Sequence, residues 1–116
     1  MKEVVINGEI YVPKGEVKNK DGLTYCIVRT YSAGVFAGYY DRNNRSKVGT
    51  VYEARRLWYW AGAASLSQLA MEGVKNPDDC KFPVALPEVD LTEIIEVEPC
   101  TEEARKSIAG VKVWEA

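Results

Sequence analysis

Arg55-Arg56-Leu57-Trp58-Tyr59-Trp60 places two guanidinium groups and three aromatic rings in six consecutive positions. Guanidinium groups bind phosphate or carboxylate through paired N–H donors. Indole and phenol rings stack on flat π-systems such as nucleobases. Read as a strand, the segment alternates, so Tyr52, Ala54, Arg56, Trp58 and Trp60 share one face. Val51, Glu53, Arg55, Leu57 and Tyr59 share the other. Arg56, Trp58 and Trp60 are therefore the leading ligand-binding candidates, and Arg55 is expected to point away from them. The competing reading makes Trp58 and Trp60 core anchors and pairs one arginine with a carboxylate such as Glu53.

A second group precedes it. Arg29 and Tyr31 run into Ser32-Ala33-Gly34, where small residues permit a bend and the close approach of a ligand to backbone. Arg29, Tyr31, Ser32 and Gly34, together with Arg55, complete the candidate binding set. No metal site and no cofactor are expected. Histidine is absent, which excludes histidine-based triads and histidine-ligated metals. The three cysteines, Cys26, Cys80 and Cys100, have no C-x-x-C spacing, so neither a disulfide framework nor a zinc site is expected. Neither a Gly-rich phosphate loop nor a nucleophile elbow occurs, so the chain is read as a non-enzyme.

The elements that must position these residues read as α+β: a mostly antiparallel, strongly bent sheet with two short helices. Lys2–Ile6 and Glu9–Val12 flank Asn7-Gly8, the strongest short-range signal for a β-hairpin. Residues 1–22 are read as an N-terminal hairpin and linker, and residues 23–116 as a compact domain. Tyr25–Tyr31, Val35–Tyr40 and Lys47–Trp60 read as strands, the last with a kink near Glu53. Ser65-x-x-Gln68 forms a capping box, followed by Leu66, Leu69, Ala70 and Val74 at helical spacing and a Gly73 stop. Lys81–Leu86 and Val89–Val97 read as strands separated by Pro87. Thr101 caps a final helix whose first turn carries Glu102 and Glu103.

Charge is close to balanced, at -2, yet unevenly spread. Lys14 to Arg56 holds nine basic residues against four acidic, whereas Glu88 to Glu103 holds seven acids and no base. A bipolar surface of this kind suits head-to-tail self-association, so a homo-oligomer is expected. An acidic domain repels polyphosphate, so nucleic acid is not an expected partner. No apolar run reaches the roughly 20 residues of a membrane span and no signal-peptide pattern opens the chain, so a cytoplasmic protein is expected.

Val28-Arg29-Thr30-Tyr31-Ser32-Ala33-Gly34-Val35, Ala54-Arg55-Arg56-Leu57-Trp58-Tyr59-Trp60 with Gly62-Ala63, and Ser65-Leu66 with Leu69-Ala70 carry a resemblance. Over about Tyr25 to Ile108 the chain resembles small uncharacterised proteins encoded by tailed bacteriophages and prophages. That resemblance implies an intracellular, phage-derived setting and supplies no catalytic residues. In such a setting, Arg/Trp recognition without turnover would suit sequestration of a nucleotide-derived host immune signal. The alternative is a protein–protein interaction module, bound to itself or to a host defence protein, with no small ligand.

Overall fold

Five strands meet in one antiparallel sheet in a computed structural model that describes residues 17–116 and the backbone of two further strands. Those two, β1 (Val4–Ile6) and β2 (Glu9–Tyr11), pair antiparallel as a separate two-stranded sheet. The Asn7-Gly8 turn expected between them lies outside the described residues, as does the start of the segment read as a linker, through Glu16. Val17 packs against the main core, and its carbonyl accepts from the Tyr25 N–H at 2.7 Å. Asn19 Oδ1 closes the intervening turn by accepting from the N–H groups of Asp21 and Leu23.

The main sheet contains β3 (Thr24–Thr30), β4 (Val35–Tyr40), β5 (Gly49–Arg56), β6 (Leu86–Leu91) and β7 (Ile94–Pro99), in the order β6-β5-β4-β3-β7. The α+β architecture follows from adding α1 (Leu66–Glu72) and α2 (Glu102–Gly110). Both faces of the sheet carry apolar residues. On one, Tyr25, Ile27, Ala37 and Leu57 pack with Leu69 and Ala70 of α1 and Ala104 and Ile108 of α2. On the other, Cys26, Val28, Phe36, Val51 and Ala54 pack with Leu91 and Ile94. Leu91 and Ile94 come from the two opposite edge strands, and only Thr92 and Glu93 separate them in the chain. Fully buried Phe36 and Phe82 contribute about 2–3 kcal/mol each by leaving water.

The helix signals act as the sequence indicates. Ser65 Oγ accepts from the Gln68 N–H at 3.1 Å, and Gln68 Oε1 reaches back to the Ala64 N–H at 2.8 Å. Gly73 closes α1 at φ +77°, and a β-carbon there would collide with Ser107. Thr101 caps α2 through the Ala104 N–H and donates its hydroxyl to the Met71 carbonyl, locking one helix start to the other helix end.

Three expectations change. The strand read as Lys47–Trp60 ends at Arg56. The run read as Lys81–Leu86 makes isolated bridges at Lys81 and Phe82, and only its last residue, Leu86, enters a strand, β6. The span Val89–Val97 turns at Thr92-Glu93 instead of running through. Pro87, read as a separator, lies inside β6. It is tolerated there because β6 is an edge strand, where a missing N–H costs no ladder partner.

Candidate functional site: an exposed indole pair beside a re-aimed arginine

Beyond β5 the chain forms a narrow ribbon. Tyr59 and Lys81 exchange backbone hydrogen bonds at 3.3 and 2.8 Å, and the Trp114 N–H donates to the Phe82 carbonyl at 3.0 Å. Alternation sends Phe82 into the core and leaves Lys81 outside. The indoles of Trp58 and Trp114 stack there with centroids 5.3 Å apart and planes 9° from parallel. Lys81 Nζ lies 5.3 Å from the Trp58 centroid, 5.7 Å from Trp114 and 6.0 Å from Tyr59. Trp58 is 59% exposed and Trp114 44%. Two large aromatics left this open side by side form a contiguous exposed apolar patch, the kind of surface that marks a binding site. A cavity of about 450 Å³ adjoins Trp114, with Asp78, Cys80 and Lys112 in its wall.

Trp60 behaves otherwise: it is half-buried and packs against the helix-side core. The expected face of Arg56, Trp58 and Trp60 does not form, because regular pairing stops at Arg56 and the ribbon follows a different path. Trp114, outside the expected site, is the residue that sequence reasoning missed. Its only signal was an indole in a short tail.

The two arginines diverge as alternation requires, though not on the expected faces. Between Ala37/Arg55 and Tyr39/Tyr52 the ladder gains one residue on β5, a β-bulge at Glu53, whose φ is +51°. The bulge puts Ala54 and Arg56 on the Val51 face and turns Arg55 toward α2. Tyr52 therefore does not share a face with Ala54. Arg55 is 6% exposed. Its Nε donates to Pro83 O at 3.1 Å, Nη2 to Phe82 O at 3.2 Å and Nη1 to Ile108 O at 2.8 Å. Burial pulls its pKa below the ordinary guanidinium value, although an arginine stays charged in this setting. Arg56 lies over the Phe36 ring at 4.4 Å and donates from Nη1 to the Ala33 carbonyl.

That contact ties Arg56 to the bend between β3 and β4. Thr30 Oγ1 donates to the Gly34 carbonyl at 2.7 Å and accepts from the Ala33 N–H at 2.9 Å, and Gly34 adopts φ +96°. Ser32 donates to Glu93 Oε1 across to the β6–β7 turn. Tyr31 is 78% exposed. The structure thus joins Arg56, Ser32 and Gly34 in one loop cluster, whereas Trp58 belongs to a separate surface with Trp114.

Arg29 leads into an acidic pair. Its Nη1 stands 3.3 Å from Glu96 Oε1. Glu96 and Glu98 are two apart on β7 and so share a face. Glu98 Oε1 is buried with no partner among the described residues. Burial, then the hydrogen bond and charge of Glu96, push the Glu98 carboxyl up to about 8. The hydrogen bond from Glu98, reinforced by Arg29, holds Glu96 below its ordinary value. The folded chain therefore favours a protonated Glu98. This contribution is whole below the ordinary carboxylate range and is lost as pH rises through it toward 8. Glu98→Gln should flatten the decline in melting temperature between about pH 5 and 8. At pH 8 it should stabilise the fold by roughly 1 kcal/mol, once screening on the open side is discounted. An unaltered pH slope in thermal melts would contradict the shared proton.

Cys26, Cys80 and Cys100 are buried, and burial pushes the Cys100 thiol up to about 12, which makes it unreactive. Among the described residues no helix is long and apolar enough to cross a membrane. Residues 23–108 match the family described as "Domain of unknown function (DUF6948)", and the chain belongs to that family. Neither the curated proteins nor the solved structures contain a match.

Proposed function

We propose that the protein acts by recognition without turnover, and that its working surface is the Trp58–Trp114 stack with Lys81 at its edge. The observation that carries this is the exposure of two stacked indoles beside an ammonium group. An anionic, nucleotide-like small molecule fits that chemistry. A base stacks on the open indole face, and Lys81 offers the charge for a phosphate. The resemblance to phage proteins suggests the setting: host cytoplasm, with the bound molecule sequestered as in a counter-defence sponge. We also read the sheet as strongly bent. Edge strands joined through two residues and sharing one apolar cluster must approach each other at that end.

A second reading, a self-associating or partner-binding module, draws on Val84, Leu86 and Val113, which are also exposed. Indole fluorescence during titration with mono-, di- and cyclic nucleotides separates the two. Saturable quenching is expected, weakened roughly tenfold or more by Trp58→Ala, since base stacking contributes about 1–3 kcal/mol. If no nucleotide quenches and Trp58→Ala instead shifts the mass seen by light scattering, the surface serves protein contact.

A further inference from the structure

A second cavity, of about 340 Å³, opens between the sheet and the C-terminal part of α2 and has no part in the indole platform. Arg55, Tyr25 and Tyr39 line it from the sheet, Arg105 and Ala109 from the helix, and Val84, Val111 and Val113 give it apolar walls. Its charges are not equivalent. Arg105 is matched by Glu102, with Nε–Oε2 at 3.0 Å and Nη2–Oε1 at 2.6 Å. Arg55 has no carboxylate partner among the described residues. Its acceptors are all backbone carbonyls, including Ile108 and Ala109 in the last turn of α2. A helix end supplies only about half a charge of compensation. Three acceptors at good distance and a fourth at 3.5 Å also leave one of the five N–H groups of the guanidinium unassigned.

The phenols stand beside this cation. Tyr25 and Tyr39 meet edge to face, centroids 5.2 Å apart, and neither hydroxyl has a hydrogen-bond partner among the described residues. At the rim sits Glu53, exposed and held at φ +51°. A non-glycine residue in that region costs about 1 kcal/mol. The strained bulge has a definite consequence: without its extra residue, Arg55 would share the Val51 face and leave the cavity.

We propose that this cavity binds a small monoanionic carboxylate with an apolar body. Its head would meet Arg55 and the hydroxyls of Tyr25 and Tyr39, and its body the valine wall. A buried guanidinium lacking a full counter-charge is completed by one negative charge. Glu53 at the entrance opposes a second, which sets carboxylates apart from phosphate monoesters.

Three probes of one shape test this on the full-length chain by calorimetric titration at pH 7.5: phenylacetate, phenyl phosphate and neutral benzyl alcohol. Phenylacetate is expected to bind saturably, with phenyl phosphate and benzyl alcohol each at least tenfold weaker. Tyr39→Phe should weaken phenylacetate severalfold, and Glu53→Gln should narrow its advantage over phenyl phosphate. Both substitutions spare Arg55, whose replacement would disturb the fold itself, and a retained melting temperature confirms that each variant is folded. Absence of saturable phenylacetate binding overturns the proposal, as does benzyl alcohol binding equally well. Discrimination against phenyl phosphate that survives Glu53→Gln unchanged overturns the assigned role of Glu53.

Discussion

Arg55→Leu is expected to lower the melting temperature by 10 °C or more, while Arg56→Leu lowers it by only a few degrees. The two side chains are adjacent in sequence, and their difference lies in what each leaves behind. Removing Arg55 strips donors from the carbonyls of Phe82, Pro83 and Ile108, in a region where the arginine itself is 6% exposed. Each buried acceptor left unsatisfied costs about 1–3 kcal/mol, and water entering by the adjoining cavity recovers part of that. A net loss of about 3 kcal/mol follows, and at roughly 4 °C per kcal/mol for a domain of this size it gives the stated drop. Arg56 forfeits one carbonyl contact and a cation–π contact with Phe36 at 4.4 Å, in a half-exposed setting worth about 1 kcal/mol. Differential scanning calorimetry of both variants measures the gap. Equal losses would mean that Arg55 does not hold α2 against the sheet.

The contrast between the two arginines separates what local sequence dictates from what it leaves open. Local signals worked where one residue decides one hydrogen bond: Ser65 and Thr101 cap their helices, and Gly73 stops α1. The antiparallel α+β class followed from runs of β-branched and aromatic residues separated by turn formers. Alternation gave opposite directions to Arg55 and Arg56, which they have. It could not assign the faces, because a single inserted residue at Glu53 reverses every side chain beyond it. A kink near Glu53 is legible locally, but its two-versus-one pairing depends on β4, a partner that no local window contains. The partner of Trp114 is not legible for a similar reason. Its stacking on Trp58 joins positions 56 residues apart through the bridges at Lys81 and Phe82, a contact of topology rather than of pattern. Pro87 misled because the rule against proline in strands depends on whether a strand is central or at an edge, which sequence order does not disclose.

The bulge in turn depends on Gly38, so Gly38→Ala is expected to destabilise the protein by about 2–3 kcal/mol. Gly38 pairs with Cys26 of β3 and stands where the β4–β5 register jumps. A β-carbon at this position would come within 2.6 Å of both the Tyr52 carbonyl oxygen and Val51 Cγ1, and within 3.2 Å of Ala54 Cα. Two of these are backbone atoms of the bulged strand and cannot rotate away. Relief requires β5 to separate from β4, which weakens the ladder, or to surrender the bulge. Loss of the bulge would carry Arg55 toward the Phe36 side of the sheet, burying a cation among Cys26, Val28 and Val51, where its carbonyl partners are missing. Separation is the lesser cost, and overpacking of this degree typically costs 1–3 kcal/mol. The expected signature is a melting temperature lowered by about 10 °C, with faster amide exchange at Tyr39 and Ala54 than at Ile27, which pairs with Glu98 of β7. A variant as stable as the parent would show that β4 and β5 are not in the close contact that aims Arg55 at α2.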